Sequence, residues 1–265
     1  MFQRILSVLI AVPLVLGVLF SPWPNLFKSL VVLCQIFALH EYARLVHLRP
    51  RDQKGCLVLG AIFSLSLAFV PLSTDGLLLE IAFLVVAIFF YFLLWHETLE
   101  GVGQSISLML LGLFYVGLFP SFIAQMRDLP QGSIWILLLL AVTWLNDTFA
   151  YFAGHWWGRR KLAPKVSPGK TWEGFWGGFV GSFVGFLIVW HFFDLPVPLS
   201  FGILLSVIVG IVAPMGDLSE SLLKRGFGVK DSGHLIPGHG GILDRIDALL
   251  FVAPVVYAFA KYFSG

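Results

Sequence analysis

The chain has 265 residues, of which 58% are hydrophobic and only 12% charged, with a formal net charge of +2. A soluble domain carries about 25% charged residues, so this composition excludes a water-facing globule and points to a bilayer as the solvent. So small a net charge gives no argument for a nucleic-acid partner, and the two cysteines, Cys34 and Cys56, read as small buried hydrophobes with no zinc-like spacing.

In chain order, runs with few or no charges occupy residues 5–27, 29–46, 55–74, 77–96, 105–126, 133–153, 174–193, 200–216 and 242–263. About 20 apolar residues cross the hydrocarbon of a bilayer, so the pattern predicts an all-α, polytopic membrane bundle of about nine transmembrane helices. Backbone facing lipid must satisfy its hydrogen bonds internally, which leaves no place for a sheet of any size. The first run is followed by Leu19, Phe20, Ser21, Pro22 and Trp23 rather than by the small residues of a cleavage site, and reads as a retained helix. Residues 1–265 form one membrane domain in this reading. Residues 1–130 supply scaffold helices, and residues 131–265 supply catalytic helices and two long Gly- and Pro-rich basic loops, 153–173 and 216–246. With nine crossings, all but Lys28, Arg127 and Lys261 of the 17 Lys and Arg residues fall on the side that holds the N-terminus and both long loops. The excess of Lys and Arg marks that side as cytoplasmic.

The ionisable residues concentrate from Asp217 to Asp247. On a helix, Asp217, Glu220, Ser221, Lys224 and Arg225 share one face, with Leu218, Leu222 and Leu223 opposite for packing. A glycine-rich turn follows, and then Asp244 and Asp247 stand one helical turn apart at the head of the last run. Carboxylates that bracket a basic, glycine-rich loop suit Mg2+, which prefers carboxylate and phosphate oxygens, while lysine, arginine and exposed backbone N–H groups bind phosphates. This inventory predicts a metal-assisted phosphoryl or nucleotidyl transfer.

A second constellation precedes it. Asp147 and Tyr151 lie at i and i+4 at the end of the sixth run, followed by Arg159, Arg160, Lys161, Lys165 and Lys170. The first three of these bases read equally as an anchor to anionic headgroups. Ser167, Lys170, Thr171 and Glu173 stand just before the next helix, where hydroxyls, a lysine and a helix N-terminus together make a phosphate site. His40, Glu41 and Arg44, near the end of the second run, read either as a satisfied polar cluster or as the lining of a substrate groove.

Ser221 to Arg225, Lys230 to Gly233, His239-Gly240-Gly241, Asp244-Arg245 and Asp247 resemble the signature of the phosphatidate cytidylyltransferase family. Asp147 to Tyr151 and Ser167 to Gly174 resemble the other recurrent stretch of that family, and His40-Glu41-Tyr42 stands where the family often has an aromatic-Glu-Tyr pattern. The match covers roughly 140–255. Many relatives carry a base where His155 stands, so that position receives no role. The resemblance implies an integral membrane nucleotidyltransferase, in a bacterial-type inner or plasma membrane, with its site facing the cytoplasm. It would join CTP to phosphatidic acid with loss of pyrophosphate and form CDP-diacylglycerol for phospholipid synthesis. Asp217, Asp244 and Asp247 are expected to hold Mg2+, with Asp147 nearby and some pair of the three within about 6 Å. Lys224, Arg225 and His239 are expected on the triphosphate, and Ser167, Lys170, Thr171 and Glu173 near the lipid phosphate. Ser221, Lys230, Asp231, Gly240, Gly241 and Arg245 complete the expected substrate-binding set. Membrane lipid is an expected partner, and a homodimer is a candidate assembly.

Three other readings compete. A CDP-alcohol phosphotransferase would show an Asp-Gly-x-x-Ala-Arg stretch, which this chain lacks. A CTP-dependent lipid kinase would release CDP. A secondary transporter of an anionic solute would place its charges near the middle of the spans, whereas these gather at one side.

Overall fold

The computed structural model of the protein describes residues 2–70, 73–95, 99–195, 197–233 and 240–264. Every predicted apolar run coincides with helix. The helices are α1 (Phe2–Leu19), α2 (Pro24–Leu45), α3 (Pro50–Phe69), α4 (Thr74–Trp95), α5 (Val102–Gly112), α6 (Ser121–Met126), α7 (Gly132–Trp157), α8 (Trp172–Phe192), α9 (Leu199–Gly226) and α10 (Leu243–Ser264). A π-helical turn, Leu113–Leu118, joins α5 to α6 in one continuous span. Among the described residues, eight helical stretches are long and apolar enough to cross a membrane, all of them after α1. The protein is thus a polytopic helical membrane protein.

The outward-facing side chains fit that setting. Helix α4 leaves Phe83 70% and Leu93 80% exposed, as lipid-facing groups must be. Trp23, Trp95, Trp156, Trp157 and Trp176 are likewise exposed, whereas Trp135 is fully buried. Cys56 is buried, Cys34 is partly so, and both are free thiols.

The chain forms two compact units. The first comprises Met1–Gln125 together with Asp231–Asp244, and the second comprises Met126–Lys230 with Arg245–Gly265. The segment 231–244 thus belongs with the N-terminal helices. In the first unit, Tyr42 packs its ring on Gly112 and donates its hydroxyl to the Leu108 carbonyl (2.9 Å). Gln35 donates its amide to the carbonyl of Gly117, inside the π-helical turn whose regular backbone pattern is broken.

The second unit depends on the contact between α7 and α8. Any side chain at Gly181 would collide with the Leu145 carbonyl, and one at Gly185 would crowd the Ala141 carbonyl. The two helices therefore touch backbone to backbone, as small residues permit in membranes. Asn146 donates across the same seam to Ser182 Oγ (2.9 Å).

Against the expectation of no sheet, β1 (Lys161–Ala163) and β2 (Ser167–Thr171) pair antiparallel, with Lys161 opposite Thr171 and Ala163 opposite Ser167. The hairpin lies in the polar 153–173 loop, where strand edges need not face hydrocarbon. Thr171 ends β2 and caps α8, its Oγ1 accepting the Gly174 N–H at 3.1 Å.

The α7–α8 seam yields a stability prediction. Gly181→Ala should destabilise the protein by about 1–3 kcal/mol or more, because the colliding group is backbone and cannot turn away. Gly103→Ala, where nothing lies within 4 Å, should be neutral or slightly stabilising. Thermal unfolding of both variants in detergent checks this.

Candidate active site

In the second unit, Lys170 connects the hairpin to α9. Its place is set on both sides, by the strand register through Thr171 and by the cap that begins α8. Lys170 Nζ lies 2.8 Å from Asp217 Oδ2 and donates to the Pro214 carbonyl at 3.4 Å. Ser221, one turn beyond Asp217, donates its hydroxyl to Asp217 Oδ1 at 3.4 Å. Arg225 donates to the Val166 carbonyl in the hairpin turn (3.4 Å) and to the Val229 carbonyl (3.0 Å). The two long loops therefore meet at Lys170–Asp217 and at Arg225–Val166.

Asp247 joins this group from α10. Gly216 makes the approach possible, since a β-carbon there would lie 2.8 Å from the Asp247 carbonyl oxygen. Asp247 Oδ1 accepts the Ala248 N–H at 2.7 Å. Asp147, Asp217 and Asp247 are close enough to act on one another electrostatically, and Lys170 acts as a countercharge on Asp147 and Asp247 as well. Like-charged carboxylates raise each other's energy unless a cation offsets them. Three carboxylates around a single ammonium leave a local excess of negative charge.

Those residues fit a divalent cation by their chemistry, being hard oxygen donors in excess of their fixed countercharge. Among the described residues no three acidic, His or Cys side chains are gathered tightly enough to enclose an ion by themselves. Mg2+ on a nucleotide does not need such a cage, because one or two carboxylates, the phosphates and waters complete its shell.

Asp244 sits in the first unit with a different set of partners. The Ser232 N–H donates to both its oxygens (3.3 and 3.1 Å), and Ser232 Oγ and Gly241 N–H donate to Oδ2, each at 2.9 Å. Gly240 supports that turn with φ of +83°, and a β-carbon there would lie 2.9 Å from Asp244 Oδ2.

Other predicted residues have local partners. Thr171 is buried as the α8 cap, and the two oxygens of Glu173 each accept the Arg160 N–H at 3.3 Å, which closes the base of the hairpin. Ser167 begins β2 and is partly exposed. Lys230, Asp231 and Arg245 are exposed. His239 lies outside the described residues.

Part of the polar face of α9 turns inward, and Leu222, expected to pack, faces out. Glu220 and Lys224 are buried, at 1% and 9% exposure, and pair at 2.5 Å, while Leu222 is 59% exposed. Periodicity identifies two faces but not which of them is inside. In a bilayer the apolar face can be the outer one, and the charged pair then turns inward. Lys224 Nζ, expected on a triphosphate, is committed to Glu220 in this arrangement. Ser232 was missing from the expected set, and Glu41 was read only as a polar-cluster or groove-lining residue. The signal for Glu41 was an ionisable residue within an apolar run, but its partners lie about 200 residues away.

The family model described as "Cytidylyltransferase family" matches residues 2–263. The chain belongs to that family. Among curated members, the chain is similar to a phosphatidate cytidylyltransferase of Synechocystis sp., 35% identical over 97% of this chain and 95% of the relative. Another, from Bacillus subtilis, is 36% identical over 100% of this chain and 99% of the relative. A third, from Brucella abortus, is 41% identical over 71% of this chain and 68% of the relative. Within this cytidylyltransferase, the hairpin, α9 and α10 bring Lys170, Asp217 and Asp247 together, with Asp147 in electrostatic reach.

The buried pair on α9 gives a second prediction. Glu220→Ala should cost about 3–5 kcal/mol by leaving the Lys224 ammonium buried without its carboxylate. The double variant Glu220→Leu/Lys224→Met should recover most of that loss. Thermal unfolding of the single and double variants decides it.

Proposed function

We propose that this protein transfers the cytidylyl group of CTP to phosphatidic acid, producing CDP-diacylglycerol and pyrophosphate. A phosphate oxygen of phosphatidic acid attacks the α-phosphorus of CTP. The new P–O bond forms as the bond from the α-phosphorus to the bridging oxygen of pyrophosphate breaks. The attacking phosphate is already an anion, so little is asked of a general base. The principal barrier is repulsion between two polyanions, and it is lowered by positioning and by fixed positive charge.

The observation that carries this reading is the cluster of Asp147, Asp217 and Asp247 beside Lys170, in a chain whose family and relatives are cytidylyltransferases. When bound, Mg2+ would neutralise phosphate charge and polarise the α-phosphorus. In the second unit Asp217 and Asp247 are the residues that would hold it, and Asp244 joins them on the sequence pattern alone. In this assignment Lys170, carried on the hairpin, orients the lipid phosphate, with Ser167 beside it. Arg225, His239, Gly240 and Gly241 serve the triphosphate. The excess of Lys and Arg in the loops that carry these residues supports a site on the cytoplasmic side, where CTP is available. An apolar exterior such as that of α4 lets a two-tailed substrate approach within the bilayer.

The division of labour between the loops is testable by steady-state kinetics. Asp247→Asn should lower kcat by at least ~100-fold without changing thermal unfolding, because its charge acts on the transition state. Lys170→Ala should raise the KM for phosphatidic acid more than that for CTP, because it supplies ground-state binding. Near-normal turnover of Asp247→Asn would refute its role, and a CTP-specific defect in Lys170→Ala would reverse the assignment of the loops.

A further inference from the structure

Glu41, on α2, is 3% exposed, which is expensive for a carboxylate unless the fold uses it. Its Oε2 accepts the Leu243 N–H at 2.9 Å and lies 3.4 Å from Ser232 Oγ. These partners come from the segment Asp231–Asp244, which packs with the N-terminal helices in the first unit. Leu243 is the first residue of α10, so its N–H is one of the amides that the helix itself cannot satisfy. Glu41 caps that helix from a different helix, 202 residues away in sequence.

The fit allows little slack. A β-carbon on Gly233 would lie 2.6 Å from Glu41 Oε1, and one on Gly241 would lie 2.5 Å from Oε2 and collide with Ser232 Oγ. A side chain at either glycine would force this carboxylate or Ser232 to shift. Ser232 has one hydroxyl proton and two carboxylate neighbours. The nearer is Asp244 at 2.9 Å, which also takes the Ser232 N–H. A chain of contacts thus runs from Glu41 to Ser232 and Leu243, and from them to Asp244.

We infer that Glu41 is a positioning residue for the reaction: it fixes the first turn of α10 and, through Ser232, the orientation of the Asp244 carboxylate. This rests on the reading that Asp244 serves the cation and CTP. Glu41 itself touches no reactant. Its charge is not what the geometry requires. A glutamine at the same place could accept the Leu243 N–H through its carbonyl oxygen. That oxygen would stand where Glu41 Oε2 meets both Leu243 and Ser232, and the serine proton would stay with the nearer Asp244.

The test uses the purified full-length protein in detergent. Three quantities are read: thermal unfolding, the rise in unfolding temperature on adding Mg2+ with CTP, and the Mg2+ concentration for half-maximal turnover. Glu41→Ala should raise the half-saturating Mg2+ concentration at least ~10-fold and remove most of the ligand-induced stabilisation, with the KM for phosphatidic acid little changed. Glu41→Gln should recover most of both losses. Where Glu41→Ala is too unstable to purify, Glu41→Asp, shorter by one methylene, should show the same defect while keeping the charge. The inference is overturned if the alanine or aspartate variant keeps the wild-type Mg2+ dependence and stabilisation, or loses only thermal stability. It is also overturned if Glu41→Gln is as impaired as Glu41→Ala. Asp244→Asn, measured alongside, separates this from the underlying reading. A normal Mg2+ response there would remove the role of Asp244 itself, whereas a defective Asp244→Asn beside a normal Glu41→Ala would remove only the role of Glu41.

Discussion

Three carboxylates, Asp147, Asp217 and Asp247, feel one another's charge at the head of an otherwise apolar set of helices, with Lys170 as their shared countercharge. Such a gathering is costly at a membrane boundary, where desolvation adds to repulsion. Much of the second unit serves to hold it. The α7–α8 glycine seam brings the Asp147 helix against the helix that Thr171 caps. Strand β2 delivers Lys170 to Asp217, and Gly216 lets α10 come close enough to present Asp247. If the cluster served only stability, apolar residues of similar volume would do as well at lower cost. Unbalanced negative charge of this kind suits a cation and the phosphates that a cation carries.

The same economy governs the charges that are not in the cluster. Glu220 and Lys224 neutralise each other inside the unit, and Arg225 is used on the carbonyls of Val166 and Val229. Glu173 is used on the Arg160 N–H. In a chain with 12% charged residues, several of the bases and acids around the site thus act as struts that hold loops in place. Lys170, by contrast, pairs with an aspartate that lies within electrostatic reach of two others.

The helices were legible because a bilayer demands long apolar runs, and each predicted run became helix. Asp217 and Asp247 stood out because they border apolar runs, and the structure brings the two within electrostatic reach. Long-range pairing was not legible. Nothing local to Lys170 names Asp217 as its partner, and nothing local to Glu41 names Ser232 or Leu243. The inward direction of the Glu220–Lys224 face was hidden too, since helical periodicity carries no sign and the usual assumption of an apolar interior fails in lipid. The hairpin went unseen because strands of three and five residues are too short to alternate visibly.

The central claim is that a cytidylyl group, and not a terminal phosphoryl group, is transferred to the lipid. The direct measurement is to incubate the purified protein with phosphatidic acid, Mg2+ and CTP labelled at either the α- or the γ-phosphorus, and to follow both labels. Transfer of the α-label to lipid, with the γ-label recovered in pyrophosphate in equal amount, is the predicted result. Appearance of the γ-label in lipid with release of CDP, or no conversion of either label, would contradict the account.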